Sequence, residues 1–409
     1  MHYSYFVYFI LVLSFLTSCN DKEMTKDEIT FYYNVNKENS LNKLNTIIPT
    51  NGALKNGTKD FFNIVHISDV HISSWSHNNS PPTPNNLLEA IWFANEPEAH
   101  INIMVATGDH ISNKEETTHE QALNFLNVFA NTLYTNNQIP TFVATGNHDA
   151  NMMHPDHRKF ALSKADMYNH LTSKINYPIR NIGAENYYYA DIPNSQDRII
   201  RIIALDVMDQ KDTEYDAQHY AIISQKQIDW LCETALKENI TEKHSVIILI
   251  HFPLPTTNEH VKQFAFNDFL YNWESIPEII EAFRTKQSFS NKYQNKFNPT
   301  DTLFINASFE NTPGEFICYL GGHIHTYFNY EVDGFNYTES YLPKQIMIIA
   351  NNMSPSQKNR KSSIERHSEG LQNNTFNIYS IDTEAKTIYI TFFGATSLYY
   401  PNVIKLRYL

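Results

Sequence analysis

Seven side chains able to bind a metal stand where predicted strands end. They are Asp69 and His71 in Ser68-Asp69-Val70-His71, Asp109 in Thr107-Gly108-Asp109, Asn147 in Thr145-Gly146-Asn147-His148-Asp149, His251 before Phe252-Pro253, and His323 and His325 in Gly322-His323-Ile324-His325. Any single piece reads as well as a turn or a satisfied histidine, because Gly, Asn and Asp are common turn formers. The set says more. Its members follow apolar runs such as Ile139 to Ala144 and Ser245 to Ile250, which read as buried strands. In an open α/β sheet the ligand lies beyond the C-terminal strand ends.

Asp69 and His71 are two apart, so in extended backbone both would point the same way, and His323 and His325 repeat the spacing. The donors outnumber the sites of one tetrahedral zinc and suit two divalent ions sharing a bridging carboxylate. Mixed N and O donors without thiolate fit Mn, Zn or Fe better than Mg or Ca. Two such ions flanking a phosphate would polarise its oxygens, acidify a bridging water and orient it for in-line attack. The departing alkoxide then needs a proton, and an imidazole with its ordinary pKa of about 6.5 is a sensible donor. No protein nucleophile is required, and no Gly-x-Ser-x-Gly elbow occurs.

The series Asp69-x-His71, Gly108-Asp109, Gly146-Asn147-His148-Asp149, His251 and Gly322-His323-x-His325 resembles the calcineurin-like metallophosphoesterase superfamily, over roughly Asn63 to the final hairpin. The resemblance implies one metal held by Asp69, His71, Asp109 and His325. It implies a second held by Asp109, Asn147, His251 and His323, with Asp109 bridging. His148 would then protonate the leaving group as general acid, and Asp149 would orient it. Many members carry a further acidic or amide residue soon after the Gly-Asp pair; here the run is His110-Ile111-Ser112, and nothing is transferred to it.

The elements needed to position these residues are legible as alternation. Strands are expected over Phe61 to Ile67, Ile101 to Ala106 and the run before Gly146. Helices are expected over Asn86 to Glu96, Thr118 to Tyr134, Pro155 to Thr172 and Ser224 to Glu238. Tyr187 to Asp191 with Arg198 to Asp206 reads as a hairpin, and so does Thr375 to Ile381 with Lys386 to Phe393. The order predicts an α/β fold: a two-sheet βαβ sandwich of metallophosphoesterase type with flanking helices. The weakly patterned stretch at about 256–313 is expected as a lid-like insertion, because structureless loops of that length are uncommon.

Domain organisation follows. By the resemblance, residues 60–395 are expected to form the metallophosphoesterase domain and 396–409 a tail. Tyr5 to Leu16 is an apolar core too short to span a bilayer, and Leu16-Thr17-Ser18-Cys19 resembles a bacterial lipobox, although the first residues carry no Lys or Arg. Residues 1–19 are thus expected as a lipoprotein signal with Cys19 lipidated, and the polar residues 20–59 as a flexible tether. The protein would be extracytoplasmic and membrane-anchored, or secreted. The remaining Cys232 and Cys318 support no disulfide framework.

A net charge of −13 argues against a nucleic-acid-coating protein, which needs a basic surface. It leaves a small phosphoester open, since bound metals reverse the local field. The motif-flanking loops offer few cations, chiefly Lys114, Arg158 and Lys159, beside Trp75, His77, His110, His154, Phe252 and Tyr327. Aromatic rings of this kind suit a base or an uncharged ester group, which favours a diester or nucleotide over a phosphomonoester. A non-catalytic binding lipoprotein on the same scaffold is the remaining alternative.

Overall fold

The computed structural model describes residues 25–47, 60–73, 85–112, 117–135, 137–151, 159–209, 221–254, 270–271, 274–294, 302–332, 345–353 and 370–408. Cys19, Trp75, His77, Lys114, His154 and Arg158 lie outside them.

In chain order, α1 (Lys26–Leu44) precedes β1 (Phe62–Ile67), α2 (Asn85–Ala94), β2 (Ile103–Thr107), α3 (His119–Thr135), β3 (Thr141–Ala144) and α4 (Lys164–His170). Next come β4 (Arg180–Asn181), β5 (Tyr188–Pro193), β6 (Ile199–Ala204), β7 (Ala221–Ile222), α5 (Gln225–Trp230) and β8 (His244–Leu249). Then follow β9 (Leu270–Tyr271), α6 (Ser275–Thr285), β10 (Ser288–Gln294), β11 (Thr302–Ser308), β12 (Glu315–Gly321), β13 (Phe328–Val332) and β14 (Gln345–Ile349). The chain closes with β15 (Thr375–Asp382), β16 (Thr387–Gly394), α7 (Ala395–Tyr399) and β17 (Ile404–Arg407).

Two large mixed sheets result, in the orders β17-β16-β15-β1-β2-β3 and β13-β14-β12-β8-β6-β5-β4. Within the first, β1, β2 and β3 are parallel; within the second, β6, β8, β12 and β14 are. Strand alternation splits the apolar residues into two layers. Phe62, Ile64, Val105, Phe142, Ile202, Leu249 and Leu320 fill the space between the sheets. Val65, Ile67, Met104 and Val143 face outward and pack with helix residues such as Leu87, Leu126 and Phe129. The sheets meet at their C-terminal strand ends, where Thr145 bridges to Asp206 and Met353 N donates to Ser68 O at 3.1 Å.

Three expected boundaries need correction. Residues 26–44 are not tether but helix, started by a capping box in which Glu28 N donates to Thr25 Oγ1 and Thr25 N to Glu28 Oε2. The helix lies along β16: Ser40 Oγ donates to Phe392 O at 3.2 Å, Lys43 Nζ donates to Ser397 O at 3.1 Å, and Tyr33 packs on Trp92 and Phe393. Its buried face includes Asn36 and Ser40, so no apolar stripe announces it.

The stretch 256–313 is not wholly a lid. Helix α6 buries Ile276, Ile279, Ile280 and Phe283 as the crossover between parallel β8 and β12, which cannot be joined by a tight turn. The β10–β11 ribbon adds Leu303, Ile305 and Ala307 to the same core. Residues 255–269 and 295–301 lie outside the described set. The final residues are not a tail either: β17 pairs with β16 and Tyr408 is buried. Cys232 and Cys318 are free and buried.

Candidate metal centre

Five of the seven candidate donors leave their strands by sharp left-handed turns. Asp69 (φ 51°), His71 (φ 54°), Asp109 (φ 52°), His323 (φ 74°) and His325 (φ 56°) all occupy the region that non-glycine residues avoid. The extended geometry expected for Asp69-x-His71 is therefore corrected. The two side chains converge because the loop after β1 is tied to the loop after β2, with Asp69 N donating to Gly108 O at 3.1 Å and His71 N to Asp109 O at 3.0 Å. Such conformations cost of order 1–3 kcal/mol each and persist where the surroundings over-determine them. Two glycines permit the crowding. A Cβ on Gly146 would strike Asp109 N and Oδ1, and one on Gly322 would strike Ser68 Oγ and Asp69 Oδ2.

The turns bring seven donors together. Ligand atoms of Asp69, His71, Asp109 and His325 lie within 4.8 Å of one another, and so do those of Asp109, His251 and His323. Asp109 belongs to both groups. In the first, His325 Nε2 is 3.2 Å from Asp69 Oδ1 and 3.0 Å from His71 Nε2. In the second, His251 Nε2 is 3.3 Å from Asp109 Oδ2, and Asn147 Oδ1 stands 3.1 Å from both His251 Nε2 and His323 Nδ1.

The charges suit cations. Burial alone would raise the Asp69 and Asp109 carboxyls, but His325 beside Asp69, and His251 and His148 beside Asp109, hold both below the usual range. Burial pulls His71 and His323 down to about 3, leaving neutral rings with lone pairs to give. His251 goes the other way. Burial favours its neutral form, yet the Asp109 carboxylate raises it to about 9. Its Nδ1 donates to Thr107 O at 2.7 Å, and a carbonyl can only accept, so Nε2 faces two acceptor oxygens. That arrangement needs positive charge, supplied either by a proton or by a metal. The donor set therefore fits divalent ions of borderline hardness.

Neighbours Asn147 and His148 diverge. Asn147 turns toward His251 and His323. The partly exposed His148 ring sits 4.9 Å from the His71 ring, with Nε2 3.9 Å from Asp109 Oδ2. Asp149 does not serve as expected. It is fully buried, and its carboxylate accepts from Gly146 N (2.7 Å), His110 N (2.7 Å) and Ile111 N (3.3 Å), which leaves it clasping two loops rather than orienting His148. A turn-forming Asp three residues after Gly146 is a legible signal for that clasp.

Three side chains expected to meet substrate are packed elsewhere. His110 is fully buried, stacks on Phe129 at 4.2 Å and shares a hydrogen bond with Ala144 O. Phe252 lies against His323 with ring centres 4.3 Å apart. Tyr327 is buried on Phe392 and Tyr400. Sequence reading missed Thr107 and Ser68, whose contribution is geometric and leaves no pattern.

Residues 62–327, well over half of the chain, match the family described as calcineurin-like phosphoesterase. The chain belongs to that family. This calcineurin-like phosphoesterase thus combines the family's fold with two groups of Asp and His residues that can hold metals. No curated protein matches it. Among solved structures, one titled "Structure of PhoD" aligns with a TM-score of 0.43 and 10% identity over 85% of this chain and 72% of that one.

Proposed function

We propose that the protein hydrolyses phosphoesters, preferentially diesters or nucleotide-type esters, with two divalent metals and a water nucleophile. The observation that carries the reading is that Asp109 belongs to both donor groups. Asp69, His71, Asp109 and His325 would hold one ion, and Asp109, Asn147, His251 and His323 the other. When bound, Mn, Zn or Fe ions polarise phosphoryl oxygens and lower the pKa of water.

The chain's own residues do the rest. The left-handed turns at Asp69, His71, Asp109, His323 and His325 fix those donors in advance, so little reorganisation is needed when substrate arrives. The Thr107 carbonyl holds His251 with Nε2 inward. His148, at the partly open edge, protonates the departing oxygen as general acid. Imidazoles and a carboxamide surround the carboxylates, a set suited to a monoanionic ester.

The test is a hydrolysis screen of matched mono- and diesters on metal-stripped protein, with Mn, Zn, Fe, Ni or Mg added back. Diester turnover restored by two equivalents of a transition metal is expected. Preference for monoesters would overturn the substrate class, and absence of metal-dependent turnover would overturn the reading.

We further propose that Cys19 is lipidated and anchors the enzyme extracytoplasmically, on the strength of the lipobox-like Leu16-Thr17-Ser18-Cys19. Among the described residues no helix is long and apolar enough to cross a membrane.

A further inference from the structure

Between the sheets, the layer that is apolar along most of its length turns polar beside the metal centre. His66 follows Ile64 on the inward side of β1, paired to Asn377 of β15 and Val105 of β2. It is fully buried, yet both ring nitrogens are bonded: Nε2 lies 2.8 Å from Thr107 Oγ1 and Nδ1 2.7 Å from Tyr379 Oη. Asn377 Nδ2 in turn donates to Tyr379 Oη at 2.9 Å. An amide nitrogen only donates, so Tyr379 Oη accepts from Asn377, and each His66 ring nitrogen faces a hydroxyl that can give or take a hydrogen. Burial draws His66 down to about 3 and so keeps the ring neutral. Thr107 is the last residue of β2, and its carbonyl receives His251 Nδ1 at 2.7 Å and Ser68 Oγ at 3.3 Å.

Polar groups are costly to bury between apolar sheets unless fully bonded, and an aliphatic residue serves at Ile64 one step back along the strand. We propose that His66, backed by Tyr379, is a positioning residue for the metal centre: through the Thr107 hydroxyl it fixes the end of β2, so that the Thr107 carbonyl aims His251 at Asp109 and Asn147. The inference rests on the reading of His251 as a ligand of the second metal. Partners that orient metal-binding histidines commonly change metal affinity by 10–100-fold when removed.

The test uses Tyr379→Phe and Thr107→Val, which delete the hydroxyls while keeping ring, bulk and backbone carbonyl, together with His66→Phe. Calorimetric Mn titration of the stripped full-length protein, Tm, kcat and KM are measured on each. One of the two Mn sites is expected to weaken about tenfold with the other unchanged, and kcat to fall more than KM rises. The Thr107→Val/Tyr379→Phe double variant should lose no more affinity than the worse single, because both cut one chain. Folded variants with lowered Tm and unchanged affinity at both sites would make His66 a core residue only and overturn the proposal. Should His66→Phe not fold, the two milder variants carry the same decision. Wild-type protein that takes up no Mn would overturn this proposal and the dinuclear reading together, whereas two intact Mn sites in every variant would overturn this one alone.

Discussion

His148 and Asn147 are adjacent in sequence and separate in chemistry. Asn147 Oδ1 sits between two imidazoles, while the His148 side chain lies beside Asp109 and His71 at the partly open edge. Asp109→Asn should lower bound metal, because the carboxylate common to both candidate donor groups loses its charge. His148→Gln should keep both metals and slow only the poor leaving groups. General acid catalysis is typically worth about 10²–10⁴-fold, and a nitrophenolate departs without much of it. The measurement is kcat for matched alkyl and nitrophenyl esters with metal content on the same preparations. Equal losses on both esters would remove His148 from the acid role. Asp149→Asn is expected to cost on the order of 1–3 kcal/mol in urea unfolding, since an amide presents a donor to a backbone N–H that now finds an acceptor. An unchanged midpoint would show that the clasp is dispensable.

At the scale of elements, helix α1 behaves as part of the sandwich. Leu44 is buried at its end, so Leu44→Ala should destabilise by about 2–5 kcal/mol in denaturant unfolding. A silent substitution would restore the tether. On α2, Glu89 is buried against Asn374, and burial raises its carboxyl from 4.5 to about 7 although the Asn374 bond opposes this. Its contribution is full below about pH 4.5, where folded and unfolded forms both hold the proton. Stability should then fall as pH rises toward about 7, because the unfolded chain ionises first. Glu89→Gln should flatten that slope in unfolding measured from pH 4 to 8. An unaltered slope would mean that Glu89 carries none of it.

At the scale of the whole molecule, the centre exists only where the two sheets meet. Asp69, Asp109 and Asn147 come from loops of one sheet, and His251, His323 and His325 from loops of the other. Metal that binds only the folded state should stabilise the whole sandwich, by about 2.7 kcal/mol at a hundredfold excess over Kd. Chelation should thus lower Tm reversibly, and an unmoved Tm would speak against a centre spanning both sheets. Anchoring is tested by Cys19→Ala, which should release the protein from the membrane fraction or leave its signal uncleaved. Unchanged partition with normal processing would sink the lipid anchor.

The sequence by itself determined the strand–helix alternation, the family and the candidate donor residues, because period and residue type are local properties that survive without a fold. It also carried the turn signals around Gly146 and Gly322. What only tertiary structure decided was contact between distant segments. Helix α1 was hidden because Asn36 and Ser40 fill its packed face; the helix near Pro277 to Arg284 was legible, but its place in the core was not, because it lies in a long stretch of weaker pattern. The left-handed turns at Asp69 and His71 follow from hydrogen bonds to the β2 loop, thirty-odd residues away, which no two-residue spacing encodes. Asp149 and His66 carry catalytic residue types and are buried among backbone amides and strand neighbours. Their roles were set by what surrounds them, since a side chain's partners depend on which loops the two sheets bring to one edge.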